Sequence, residues 1–293
     1  MARRRPASVH GVCIVDKPAG MTSHDVVGML RRRLGERRIG HAGTLDPDAT
    51  GVLVVAVGMA TRLLQFATAT TKTYTGEVVL GVETDTLDAA GQVTATHEMG
   101  AIAIDDVRRV VDENLLGDIE QVPPMVSAIR VEGRRLHELA REGIEVERAA
   151  RPVTIHRFAV EPGPEPHVLR IEVECSAGTY IRSLAADLGH LLGGGAHLRN
   201  LRRTASGSFT IDRAAPPDTC QLLPVATVVE SLAAVTVDEA TASRVATGQV
   251  LDRWDGDGPW AVFAPGAALL AVYESHRAAT AKPVVVLPTA AAG

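Results

Sequence analysis

Residues 40–58, GHAGTLDPDATGVLVVAVG, place Asp46 and Asp48 two residues apart in a short polar loop that runs straight into an unbroken apolar segment. Pro47 keeps Asp46 out of the helical region and in an extended conformation. Gly43 and Gly51 allow tight backbone turns on either side, so the Asp46 carboxylate can project from a rigid lip. A turn aspartate bonded to its own backbone reads the same way locally and is the commoner use of Asp-Pro, so both readings stand at this level. One capping acid is enough for such a turn, and Asp48 supplies it.

Two distant residues make a chemical set with Asp46. Tyr74, one of three tyrosines, opens the apolar side of an alternating segment, and Arg182 lies just past AGTY, where a helix begins. A guanidinium keeps a carboxylate ionised, and a phenol can stack on a flat ring or pass a proton. A core tyrosine and a surface arginine are the plain alternatives. His41 could wedge, act as a base or do nothing. Lysine is scarce: Lys17, Lys72 and Lys282 stand against 27 arginines, and the first two fall in DKPAGMTSHD and TKTYTGEV. A lysine kept where arginine is the rule hints at a need for its compact, rotatable ammonium.

The elements that must hold these groups are readable. GVCIVDK is a short strand, followed by a Pro-Ala-Gly turn and a helix with Thr22 and Asp25 at capping-box spacing. Val26, Val27, Leu30 and Leu34 share one face of that helix, and Gly35 can stop it. GVLVVAV reads as a strand covered on both faces. YTGEVVLGV alternates, with Tyr74, Gly76, Val78, Leu80 and Val82 on one side. Val107, Val110, Val111, Asn114 and Leu115 mark another helix. VLRIEVEC is the clearest strand, with Leu169, Ile171, Val173 and Cys175 on one face. The helix after it carries Ile181, Leu184, Ala185, Leu188 and Leu192 as its stripe. Arg182 is off that stripe, at the helix end where a cation gains nothing from the dipole. Residues 121–152 hold a double proline, a Gly-Arg turn and little obvious core, fitting either a ligand-touching excursion or an ordinary connection. DRAAPPDTCQLLPVA reads as a linker. Beyond it come a short helix and several strands.

Length and composition bound the rest. A chain of 293 residues, 46% hydrophobic, can bury one large domain or a large and a small one. The net charge of −5 hides an uneven distribution: the first fifty residues carry nine Arg or Lys against five Asp or Glu. A basic front on an acidic body can grip phosphate. Three scattered cysteines suit a reducing cytoplasm and offer no metal spacing. The apolar run VCIV is too short for a signal peptide, and no run reaches transmembrane length. No dinucleotide, Walker or nucleophile-elbow motif is present.

Taken in order, GVCIVDKPAGMTSHDVV, GHAGTLDPDATGVLVVAVG, KTYTGEVVLGVETDTLDAAG, VPPMVSAIRVEGRRLHELAREG, RPVTI and CSAGTYIRSLAADLGHLLGGGAHLRNLRRTASGSF resemble the bacterial tRNA pseudouridine synthase B family over residues 11–209. The resemblance implies a mixed α/β (α+β) fold with a central, mostly antiparallel sheet. It implies a catalytic domain over 8–228, an RNA-clamping thumb at 121–152 and a small, mainly-β PUA-like domain over 229–293. It implies isomerisation of T-loop uridine 55 of tRNA to pseudouridine, without cofactor or metal. Asp46 matches the catalytic aspartate, Tyr74 the tyrosine that stacks on the flipped uracil, and Arg182 the arginine paired with the aspartate. His41 matches the residue that displaces the target base; Tyr180 and Leu201 match substrate-lining positions. Lys17 and Lys72 are supporting candidates. Arg31, Arg32, Arg134, Arg135, Arg202 and Arg203 are candidate phosphate contacts. The chain departs from the family at His137, where tyrosine is common, and at Arg130, where lysine is. A cytoplasmic monomer acting on the T stem-loop, with no membrane and no obligate protein partner, is the expectation. The rival is a non-catalytic RNA binder or tRNA folding chaperone on the same scaffold, which would have no need of Asp46, Tyr74 and Arg182 together.

Overall fold

The computed structural model describes residues 7–127, 130, 131, 133–136, 139, 142–144 and 146–288. His137 and the side chains of Arg130 and Arg135 lie outside the described residues. Contacts divide the chain into two compact units, one of residues up to Pro47 with Gly51–Ala69 and everything from Ser206, the other of Asp48–Thr50 with Thr70–Ala205.

In the first unit, strand β1 (Gly11–Lys17) leads to helix α1 (Ser23–Leu34), then β2 (Ile39–Ala42) and β3 (Thr50–Val57). The capping box forms as its spacing requires: the Thr22 hydroxyl accepts from the Asp25 amide at 3.0 Å, and the Asp25 carboxylate accepts from the Thr22 amide at 2.9 Å. Gly35 ends the helix at φ +64°, a left-handed cap that costs glycine nothing. β3 is antiparallel to both β1 (Val15↔Leu53) and β2 (His41↔Val55), and Gly51 to Val57 are all buried. A 3-10 turn (Gly58–Leu63) and short helix α2 (Leu64–Thr68) follow.

The second unit is built on antiparallel strands in the order β12 (Ala196–Ser206), β4 (Lys72–Leu80), β11 (Val168–Cys175), β10 (Arg151–Pro162) and β7 (Gly117–Gln121). β4 alternates residue by residue between buried and half-buried, as its sequence reads, and Tyr74 lies opposite Val173. A small hairpin, β5 (Val82–Thr84) and β6 (Val93–Thr96), precedes helix α3 (Ile104–Asn114). Helix α4 (Ile181–Leu191) buries Ile181, Leu184, Ala185 and Leu188. Within 121–152, β8 (Arg130–Val131) and β9 (Arg134–Arg135) pair, and Leu136 and Leu139 are buried.

After β13 (Phe209–Thr210), the first unit resumes with a segment expected to be a linker. It is instead bound along β1: the Asp16 amide donates to Ala215 O at 2.9 Å, and Val12 and Leu223 exchange backbone bonds of 3.0 and 2.8 Å. Backbone pairing fixes this stretch, and composition carries no trace of it. A five-stranded sheet then forms in the order β14 (Ala233–Thr236), β16 (Trp260–Phe263), β17 (Leu269–His276), β18 (Thr280–Val286) and β15 (Leu251–Asp252), with helix α5 (Glu239–Ala246) beside it. Only the β14–β16 pair is parallel. Ala261, Val272, Val285 and Leu287 of this β-rich end share one core with Val12, Val54, Ala60, Leu63 and Phe209. Each fully buried Val or Leu there contributes about 1.5–3 kcal/mol. The C-terminal sheet is therefore packed into its unit rather than tethered to it. Among the described residues, no helix is long and apolar enough to cross a membrane.

Candidate functional site

The sequence-predicted residues fall into two groups, one in each unit. In the first, Asp46 is half-buried in the loop between β2 and β3; Asp48, which the contacts assign to the second unit, is exposed. Gly43 (φ +77°) and Gly51 (φ +101°) take the left-handed conformations that the loop needs. Both sides of Asp46 are pinned. Ahead of it, the Ser23 hydroxyl accepts from the Leu45 amide at 2.9 Å and donates to Leu45 O at 3.2 Å. Behind it, Pro47 O accepts from the Gly20 amide at 3.0 Å and from Lys17 Nζ at 2.8 Å. The same ammonium donates to Pro18 O (2.8 Å) and Met21 O (2.6 Å), and Lys17 is completely buried. Three rotatable donors reach three carbonyls, a task the planar fork of arginine does not fit. This gives the lysine hint in the sequence its physical content. His41 sits on β2, partly buried.

In the second unit, Tyr74 faces the buried side of β4 at 9% exposure. Lys72, two residues earlier on that face, donates to Thr70 O at 2.5 Å. Burial, reinforced by the Arg203 charge, lowers its ammonium pKa to about 8. Arg182 is 3% exposed at the first turn of α4. Its guanidinium donates to Thr86 O at 2.8 Å and Val126 O at 2.9 Å, with Asp88 Oδ2 at 3.5 Å. These bonds account for a cation at the unfavourable end of a helix dipole.

Sequence reasoning missed three residues. Asp88 braces its own turn, accepting from Thr86 Oγ1 at 2.6 Å and the Ala90 amide at 3.1 Å while it faces Arg182. Gln121 bonds both backbone groups of Tyr180. Ser23 holds Leu45. The acid-rich TDTLDAAG was a visible signal for the first, and nothing local pointed to the others.

Leu201 is half-buried on β12, one residue past Asn200, whose φ is +54°. That left-handed residue breaks the strand's alternation and turns Arg203 inward, to 1% exposure. Arg203, a candidate phosphate contact, is therefore buried in this structure. Arg31 donates to Arg37 O (3.1 Å) and Ile39 O (3.3 Å), holding the α1–β2 turn, while Arg32 is exposed. Arg134 pairs with Glu142 at 2.5 Å, and Arg202 donates to Thr50 Oγ1 at 3.3 Å. Among the described residues, no cluster of three or more His, Cys, Asp or Glu is arranged to hold a metal ion.

Three family models match in succession: TruB family pseudouridylate synthase (N terminal domain) over residues 31–181, tRNA pseudouridylate synthase B C-terminal domain over 182–238, and tRNA pseudouridine synthase II, C terminal, over 232–288. The chain is similar to the tRNA pseudouridine synthase B of Arthrobacter sp. (strain FB24), 45% identical over 94% of this chain and 96% of that one. It is likewise similar to that of Symbiobacterium thermophilum, 48% identical over 83% of each. Among solved structures, one chain of a Cbf5-Nop10-Gar1 complex matches with a TM-score of 0.73 at 26% identity, covering 96% of this chain and 86% of that chain. The chain belongs to the TruB family of pseudouridylate synthases.

Proposed function

We propose that this protein isomerises uridine to pseudouridine in tRNA, at position 55 of the T loop. The Asp46 carboxylate attacks the flipped nucleotide and the N1–C1′ bond breaks. The freed uracil turns, C5 bonds to C1′, the bond between the nucleotide and the Asp46 carboxylate breaks again, a proton leaves C5 and one is gained at N1. Composition is unchanged and no electron is exchanged, so ordinary side chains suffice. In this reading Tyr74 stacks on the uracil, Arg182 keeps the aspartate ionised, and His41 helps displace the base. Tyr180 and Leu201 line the bound nucleotide. A loop uridine is the cheapest to unstack, which suits an enzyme that must reach both sides of a glycosidic bond. The protein acts alone, as a cytoplasmic monomer, with the β-rich 229–293 segment as a small PUA-like module.

The observation that carries this reading is the pinned lip. Asp46 is flanked by two peptides tied down through Ser23, Gly20 and Lys17, which is more restraint than a surface turn needs and what a positioned nucleophile requires. The test is mapping of carbodiimide adducts by primer extension on unmodified tRNA incubated with the protein. A stop specific to position 55, lost when that base is cytidine, is expected. Stops elsewhere would overturn the assigned position, and no stops would overturn the activity.

A further inference from the structure

We infer that Gln121 is a positioning residue for this reaction, a carboxamide clamp that fixes the Tyr180 peptide and with it the first turn of α4. Gln121 ends β7, is 2% exposed, and stands 59 residues from its partner. Its Oε1 accepts from the Tyr180 amide at 2.7 Å, and its Nε2 donates to Tyr180 O at 3.1 Å. A carboxamide offers the same donor and acceptor as a peptide, so the pair closes like one more rung of a β-ladder. Both orientations of the amide are thereby fixed.

The clamp stands where it can matter. Tyr180 is the N-cap residue of α4 and has no side-chain cap of its own. Two residues on, Arg182 donates to Val126 O, and Ser183 Oγ donates to Val122 O at 3.2 Å. Residues 180, 182 and 183 are thus tied to 121, 126 and 122, the root of the 121–152 excursion. Gln121 is the member of this set whose side chain grips one residue's backbone at both its N–H and its C=O. Displacing the Tyr180 peptide would move the Tyr180 side chain and the Arg182 guanidinium together.

The inference rests on the reading above, in which Tyr180 lines the substrate and Arg182 serves Asp46. The experiment compares wild type with Q121M and Q121E. Q121M conserves volume and removes both bonds. Q121E is isosteric: protonated, it can donate to Tyr180 O and accept from the amide; ionised, it sets a charge against that carbonyl. Burial favours the neutral acid, so its titration falls above the usual carboxylate range. Arg182, bonded to the same 121–127 segment, and Arg151, opposite Gln121 on β10, are charged groups that oppose this shift. Single-turnover tritium release from 5-tritiated T-arm RNA would be measured from pH 5.5 to 8.5, with RNA affinity and hydrogen exchange over residues 176–190.

For Q121M, the rate should fall about ten- to a hundredfold with affinity changed by less than about threefold, the signature of misplacement rather than lost binding. Exchange at 176–190 should quicken. For Q121E, the rate relative to wild type should approach one at low pH and fall as pH rises, which a role in packing alone would not produce. Q121M with wild-type rate and exchange, or Q121E with a wild-type pH profile, would overturn the inference. Should Q121M fail to fold, the Q121E profile decides alone. Wild type that releases no tritium would refute pseudouridylation itself and this catalytic role with it. The exchange arm would still report whether the clamp exists, so the two failures are distinguishable.

Discussion

Lys72 is a buried cation whose cost can be worked out and measured. Its side chain is 5% exposed, and its pKa falls from 10.5 to about 8, chiefly through burial. A gap of that size corresponds to about 3 kcal/mol at 1.36 kcal/mol per unit. The sign follows from proton counts. Below about pH 8 both folded and unfolded chains hold the ammonium, and the folded state bears the full penalty. Between about pH 8 and the unfolded value the folded amine is neutral while the unfolded one is still charged, so stability rises with pH. Lys72→Met removes the penalty but leaves Thr70 O without that donor, at a cost of about 1–3 kcal/mol. The stability difference between Lys72→Met and wild type should therefore favour the variant most at neutral pH. It should shift toward wild type by about 3 kcal/mol between pH 7.5 and 10.5. Urea unfolding followed by circular dichroism at several pH values measures this, and other groups titrating in the range cancel in the difference. A difference independent of pH would refute the reasoning.

Other expectations follow from the same geometry. Arg182→Lys replaces two separate donor nitrogens, one for each of two carbonyls, with a single shorter-reaching ammonium, so stability should fall by about 1–3 kcal/mol, read by thermal unfolding, and tritium release should drop with it. An unchanged variant would show that the fork is dispensable. Asp48→Asn should keep near wild-type turnover, since Asp48 is exposed in the turn; a dead Asp48→Asn would mean the wrong carboxylate was chosen. RNA binding should weaken steeply with salt, and Arg32→Met should reduce the log–log slope by roughly 0.7–0.9 as one phosphate contact is lost. A flat salt response would remove the arginines from the RNA contact set.

What the sequence revealed was local. The Thr22–Asp25 box, the alternation of β4 and β11, and the stripe of α4 are set by neighbours within a few residues, and each formed, although Val82 falls on β5 and Leu192 just past the end of α4, both only half-buried. The Asp46 lip was visible for the same reason, since Pro47, Gly43 and Gly51 write its backbone directly. What stayed hidden depends on long-range pairing of side chains with backbone. Lys17 with Pro47, Gln121 with Tyr180, and Arg182 with Thr86 and Val126 join residues 30 to 96 positions apart. The supposed linker failed as a reading because its order comes from β1. The burial of Arg203 was hidden too, because the left-handed Asn200 shifts the strand's phase, which no periodicity count anticipates.

The most direct test of Asp46 as nucleophile is tritium release from 5-tritiated uridine in a T-arm stem-loop, wild type against Asp46→Asn, with RNA affinity measured on both. Wild type should release tritium and Asp46→Asn should release none while still binding RNA. Equal release by the two proteins would contradict the assignment of catalysis to this carboxylate.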